Sequence, residues 1–168
     1  KSMAKSNEVK STEDLMFALA KDFERKDIKW RIQRMKKDGT AGLVLAYVDV
    51  RKYHDRFNIV MGKNWQCNHI NYGAKTICSL GLKFDNEWIW RSDGAGDTQK
   101  ESDKGAISDS FKRASVLFGL GRGLYDLPSV WVDCESKIVN GKPYFPQDPD
   151  ELRIGIIAQE LENVLPQC

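Results

Sequence analysis

Two alternating runs, KTICSLGLKF (75–84) and EWIWRS (87–92), are separated by only two residues, Asp85-Asn86. A connection that short cannot carry a crossover, so the two runs form a tight antiparallel hairpin. A third alternating run, WQCNHINY (65–72), precedes them through a turn at Gly73. Three consecutive strands therefore make a meander, and the rest of the chain must cover it. Alternation places Trp88 and Trp90 on one face of that sheet, expected to be its core side.

The segments on either side read as helices with a few more strands. Ser11 opens STEDLMFALAKDF, and Ser11 with Asp14 resembles a capping box in which Asp replaces Glu. Leu15, Ala18, Leu19 and Phe23 follow at helical spacing. In DIKWRIQRMKKDGT, Ile28, Trp30 and Ile32 alternate with Lys29, Arg31 and Gln33, which predicts a short strand ended by turn residues. AGLVLAYV (41–48) is a continuous apolar run and reads as a buried strand. Asp49 can cap the helix VRKYHDRFNIVMG, with Val50, Tyr53, Phe57 and Val60 inward, Gly62 as the stop, and Arg51, Lys52 and Arg56 on the outer side.

DGAGDTQKESD (93–103) is read as a polar loop leading to a second main helix. In that helix Ile107, Phe111, Ala114 and Phe118 form the core stripe. LPSVWVDCESK is a predicted strand, VNGKPYF a small hairpin around Asn140-Gly141, and DPDELRIGIIAQELENVL a last amphipathic helix with Pro149 near its start. The fold class is α+β: an antiparallel β-sheet meander packed on helices. Residues 1–10 are expected to be a disordered or expression-derived tail, and 11–168 a single domain.

Composition narrows the function classes. Of 168 residues, 41% are hydrophobic and 30% charged, which suits a folded chain and not a disordered one. The longest apolar run, Gly42–Val48, is too short to span a bilayer, and the polar N-terminus has no signal-like apolar region. Neither membrane nor export is expected. The four cysteines, Cys67, Cys78, Cys134 and Cys168, make no CxxC and match no zinc spacing, so they read as buried structural thiols in a reducing cytoplasm. Charge is unevenly distributed. Residues 1–122 carry 23 Lys/Arg against 16 Asp/Glu, a surplus of +7, whereas residues 123–168 carry 3 against 8, or −5. That split fits a basic surface for a polyanion beside an acidic tail, or chance.

Within DKGAISDSFKRASVLFGLGRGLYD (103–126), Lys104, Ser108 and Lys112 line up at i, i+4, i+8, with Asp109 and Arg113 alongside. This row is either a solvated face with an Asp109–Arg113 pair or a cationic track for phosphates, in which Arg113 chelates two oxygens. Gly119, Gly121 and Gly123 follow the helix instead of preceding it. They therefore act as a helix stop and not as a phosphate cradle. The ExK pattern Glu135-Ser136-Lys137, with Asp126 or Asp133, is the minimal material for a metal-dependent nuclease.

The ordered series AYVDVRKYHDRFNIVMGKNWQ (46–66), the meander, and DGAGDTQKESDKGAISDSFKRASVLFGLGRGLYDLPSVWV (93–132) resembles the Rad52/Rad22 family of single-strand annealing proteins, in its bacterial and phage form. The resemblance covers about residues 28–132, and KGAISDSFKRA-x-x-x-FG is its most specific piece. It implies a β-β-β-α core, an oligomeric ring and single-stranded DNA wound in an outer basic groove. The activity it implies is ATP-independent annealing with no cofactor and no covalent chemistry. The family's Lys-Arg pair falls on Lys112 and Arg113, and its first-helix cation on Lys52. A further cation three residues beyond Arg113 is Val116 here, for which Arg122 or Arg56 would compensate. Arg51, Lys63 and Lys104 complete the expected DNA-binding set, and Tyr53, Trp88 and Trp90 are candidate stacking residues. The acidic last helix packs on its own domain, or serves a neighbouring subunit or a host single-strand-binding protein. From Lys29 to Lys63 there are nine Lys/Arg against three Asp, a local surplus that sequence-blind backbone binding requires.

Overall fold

The computed structural model describes residues 10–96, 103–133, 137–139 and 142–144. It divides into two compact units, Lys1–Asp22 with Val50–Arg122, and Phe23–Asp49 with Gly123–Cys168.

The first unit begins with α1, Thr12–Ala20. The capping box is formed: the Asp14 N–H donates to Ser11 Oγ at 3.1 Å, and the Ser11 N–H donates to the Asp14 carboxylate at 3.2 Å. Leu19 is its fully buried residue. Helix α2, Val50–Met61, buries Tyr53, Phe57 and Met61 and ends at Gly62, whose φ of +56° a side chain would resist. Met61 thus takes the inward place expected of Val60, because the stripe steps by four throughout.

Strands β3 (Trp65–Tyr72), β4 (Lys75–Phe84) and β5 (Glu87–Gly96) form the antiparallel meander, with β4 central. Asp85 and Asn86 have φ of +45° and +69°, the pair of left-handed residues that a two-residue hairpin needs to match strand twist. Thr76, Cys78, Leu80, Leu82 and Phe84 are the buried side of β4. Register then corrects the sequence reading of the tryptophans. Trp88 pairs with Lys83 and Trp90 with Gly81, both on the opposite face, so the indoles are 36% and 48% exposed instead of being core. Their rings lie 6.2 Å apart, and Trp90 rests on Gly81, where a Cβ would come within 2.9 Å of the indole. Strand β5 also runs further than expected. Asp93–Gly96, read as loop, continue in register as far as Lys75, because β4 is long enough to partner them.

Helix α3, Asp103–Val116, completes the β-β-β-α order. Phe111, Ala114 and Phe118 are buried as expected, but Ile107 is 46% exposed. Ser110 and Ser115 are buried instead, their hydroxyls donating to the carbonyls of Ile107 and Phe111 within the helix. Aromatic packing joins α2, β3 and α3, with Phe111 set edge-on to His54 at 4.7 Å and to Phe57 at 5.9 Å. The helix stops at Gly119 and Gly121, both in the left-handed region.

The second unit holds an antiparallel sheet in the order β1 (Ile28–Met35), β2 (Ala41–Val48) and β6 (Val130–Asp133). Buried Val44 packs against Trp30, Ile32 and Val130. The β1–β2 turn is pinned by Asp38, whose carboxylate accepts from the Thr40 N–H and hydroxyl; those two donors hold it below the usual carboxylate range. A β7–β8 hairpin (Lys137–Val139, Lys142–Tyr144) lies where the sequence places one. The expected last helix lies outside the described residues, and among those described no helix is long and apolar enough to cross a membrane.

Candidate nucleic-acid interface

In the first unit, α3 carries Lys112, half-buried, and Arg113, exposed. One of the two readings of this row pairs Arg113 with Asp109; the structure shows an ion pair with Asp93 of β5, Nε to carboxylate 3.4 Å, at the surface. A pair that open is worth little to stability. Arg51 and Lys52 are exposed on α2, Lys63 follows that helix, and Arg122 is exposed after the α3 stop. Lys104 falls in α3, but its side chain is outside the described residues. Val116 is half-buried, so the position where the family pattern has a cation is turned partly into the protein.

Arg56 departs from the expected outer face. Its guanidinium donates to four main-chain carbonyls around the C-terminus of α1: Ala18 at 3.1 Å, Leu19 at 3.4 Å, Lys21 at 2.6 Å and Asp22 at 3.3 Å. No glycine is available there, since Lys21 leaves the helix with φ −59° and ψ 133°, and the arginine satisfies the orphan carbonyls instead. Arg91 does the same for α3, donating to the Leu117 carbonyl while its guanidinium lies 4.6 Å over the Phe118 ring. Both arginines occupy helix ends. Tyr53 is likewise removed from the stacking candidates, being 2% exposed.

The second unit carries a surface the sequence reading missed. Residues of β1 on the face away from Val44 are cationic, and two aromatic rings of the sheet, Tyr47 and Trp131, lie within reach of them. Arg31 lies 5.6 Å over the Tyr47 ring, while Arg34 and Lys36 lie 5.5 and 5.9 Å over Trp131. Lys29 registers directly with Tyr47. A shift between Ile32 and Arg34 lets Arg34 reach Leu43, and through it Trp131 of β6. Trp131 remains 43% exposed. Cations for phosphates beside rings for bases are the two elements of single-strand binding. The signal in the sequence was the alternation of Lys29 and Arg31; what it lacked was the partner, almost a hundred residues downstream.

For the nuclease alternative, Glu135 and the Lys137 side chain lie outside the described residues, while Asp126 and Asp133 are exposed. Among the described residues no three His, Cys, Asp or Glu side chains gather to hold a metal ion.

The model of the Rad52/22 family of double-strand break repair proteins matches residues 11–142. Among curated proteins, the single-stranded DNA-binding protein DdrA of Deinococcus radiodurans is 28% identical over 142 residues, covering 83% of this chain and 68% of its own. DdrA of Deinococcus deserti is 30% identical over 121 residues, covering 71% and 60%. These matches give no support to metal-dependent cleavage. No solved structure matches the chain significantly.

Proposed function

The chain belongs to the Rad52/22 family of double-strand break repair proteins, and from that premise we propose that it binds single-stranded DNA and anneals complementary strands without ATP. The observation that carries this reading is the cation–aromatic face of β1, β2 and β6, with the Lys112-Arg113 pair of α3 as further phosphate contacts. Guanidinium and ammonium groups neutralise the backbone, and Trp131 offers a base a stacking surface without reading its edges. Annealing then needs no bond to break. Concentrating and extending two strands lowers the entropic barrier to pairing. In this reading the protein is a DNA-binding mediator and not an enzyme, works as a homo-oligomeric ring in a bacterial or phage-infected cytoplasm, and hands strands to or from a host single-strand-binding protein. Arg51, Lys52, Lys63, Lys104 and Arg122 are secondary phosphate contacts. Arg56 is a helix clamp.

The test is annealing of complementary oligonucleotides in EDTA without nucleotide. Acceleration by the wild-type chain, lost in Lys112→Ala/Arg113→Ala and in Arg34→Ala/Trp131→Ala, is the expected result. Unchanged affinity for labelled oligo-dT in both double variants at moderate salt would overturn the site assignment. Magnesium-dependent cleavage lost on Glu135→Ala would overturn the function.

A further inference from the structure

We propose that Cys67 and Cys78 form a dithiol site, closed to a disulfide by a hydroperoxide. Three features of the meander bring this about. Strand β3 is an edge of its sheet, so Cys67 is exposed on it and not buried as its sequence suggests, whereas Cys78 on central β4 is fully buried. Register pairs Cys67 with Leu80 and His69 with Cys78, so the two cysteines are diagonal neighbours on the same face. The Cys78 thiol is also the hydrogen-bond partner of Cys67, donating to its sulfur. An oxidant therefore meets one thiol at the surface, with the second behind it on the same face of the sheet.

The chemistry balances with a hydroperoxide as the two-electron oxidant. The Cys67 thiolate attacks the terminal peroxide oxygen. The O–O bond breaks, water or an alcohol leaves after taking a proton, and Cys67 becomes a sulfenic acid. Cys78 then attacks the Cys67 sulfur, the S–O bond breaks, and the hydroxide takes the Cys78 proton and leaves as water. Two thiols and one hydrogen peroxide give one disulfide and two waters. The hydrogen bond from Cys78 also favours the first step, since it stabilises the Cys67 thiolate and lowers that thiol to about 7. Its hydrogen bond to Cys67, then burial and the adjacent thiolate, push the Cys78 thiol up, which keeps it protonated and unreactive until Cys67 is oxidised. His69 Nε2 is buried without a hydrogen-bond partner, directly opposite Cys78 on the same face. A diagonal bridge across two strands departs from relaxed disulfide geometry, so small thiols should reopen it readily.

The experiment uses the full reduced chain, treated with equimolar hydrogen peroxide, capped with N-ethylmaleimide and mapped by peptide mass spectrometry. The expected product is a Cys67–Cys78 linked peptide pair, two hydrogens lighter than its parts and cleaved by dithiothreitol. Cys78→Ala should stop at a Cys67 sulfenic acid that dimedone traps. The proposal is overturned if Cys78 stays fully alkylatable while Cys67 proceeds to sulfinic acid, or if Cys67 links to Cys134 or Cys168 instead. The wild-type peptide map decides the matter even if the Cys78→Ala variant does not fold.

Discussion

Gly62 and Gly121 share a left-handed backbone, at φ of +56° and +82°, but not a neighbourhood. Around Gly62 an added Cβ meets nothing within 4 Å, whereas at Gly121 it would lie 2.4 Å from Tyr53 Oη in the core. Gly62→Ala should therefore lose only the backbone preference, about 1 kcal/mol in urea unfolding. Gly121→Ala adds a steric conflict with a buried ring and should lose about 2–4 kcal/mol. Equal losses at the two sites would show that Tyr53 yields without cost. Cys67 makes the other prediction at this scale. Cys78 and His69 share its face of the sheet, and His54 stacks 6.0 Å from Trp65 two residues along β3. Because the Cys78 hydrogen bond lowers the Cys67 thiol to about 7, its iodoacetamide reaction should rise through pH 7 and level off. In Cys78→Ala the midpoint should move up towards the ordinary thiol range of about 8.5. An unmoved midpoint would mean that Cys78 does not stabilise the thiolate.

Helix ends show how the elements are held together, and Arg56 is the sharpest case. Its fork serves four carbonyls at the end of α1, a segment with no glycine stop. Arg56→Ala should lower stability by about 2–3 kcal/mol and fray α1, as read by urea unfolding and circular dichroism, because it leaves those carbonyls unsatisfied. Affinity for oligo-dT at fixed salt should change less than twofold. A large loss of affinity with unchanged stability would return Arg56 to the DNA contacts. The sequence could not distinguish these roles, since an arginine on the polar side of a helix looks the same whether it meets phosphate or a neighbouring helix end. Other elements were legible because their determinants are local. The two-residue Asp85-Asn86 turn, the Ser11–Asp14 box and the stop at Gly62 each lie within a few residues of the structure they specify. The face taken by Trp88 and Trp90 was not legible. Alternation says that they share a side, but only the register with Gly81 and Lys83 says which side the helices cover. The candidate site divided in the same way: the α3 cations are visible in the sequence, whereas Trp131 meets Arg34 only once β6 has paired with β2.

At the scale of the whole molecule, the surplus of +7 over residues 1–122 and the −5 beyond make salt the natural probe. Single-stranded DNA binding through Z phosphate contacts gives a slope of about −0.7Z for log affinity against log salt. Lys112→Ala/Arg113→Ala removes two cations and should flatten that slope by about 1.4, whatever the sequence of the strand. Trp131→Ala removes a stacking surface and no charge. It should weaken binding by about 1–3 kcal/mol while leaving the slope where it was. The two classes of variant thus separate along different axes of one titration, anisotropy of labelled oligo-dT from 50 to about 300 mM NaCl. Arg34→Ala should move along both axes, because the same guanidinium neutralises phosphate and lies against the Trp131 ring. If Trp131→Ala changed the slope as Lys112→Ala/Arg113→Ala does, the ring would be acting only by positioning Arg34 and Lys36, and base stacking would have no part in binding at that face.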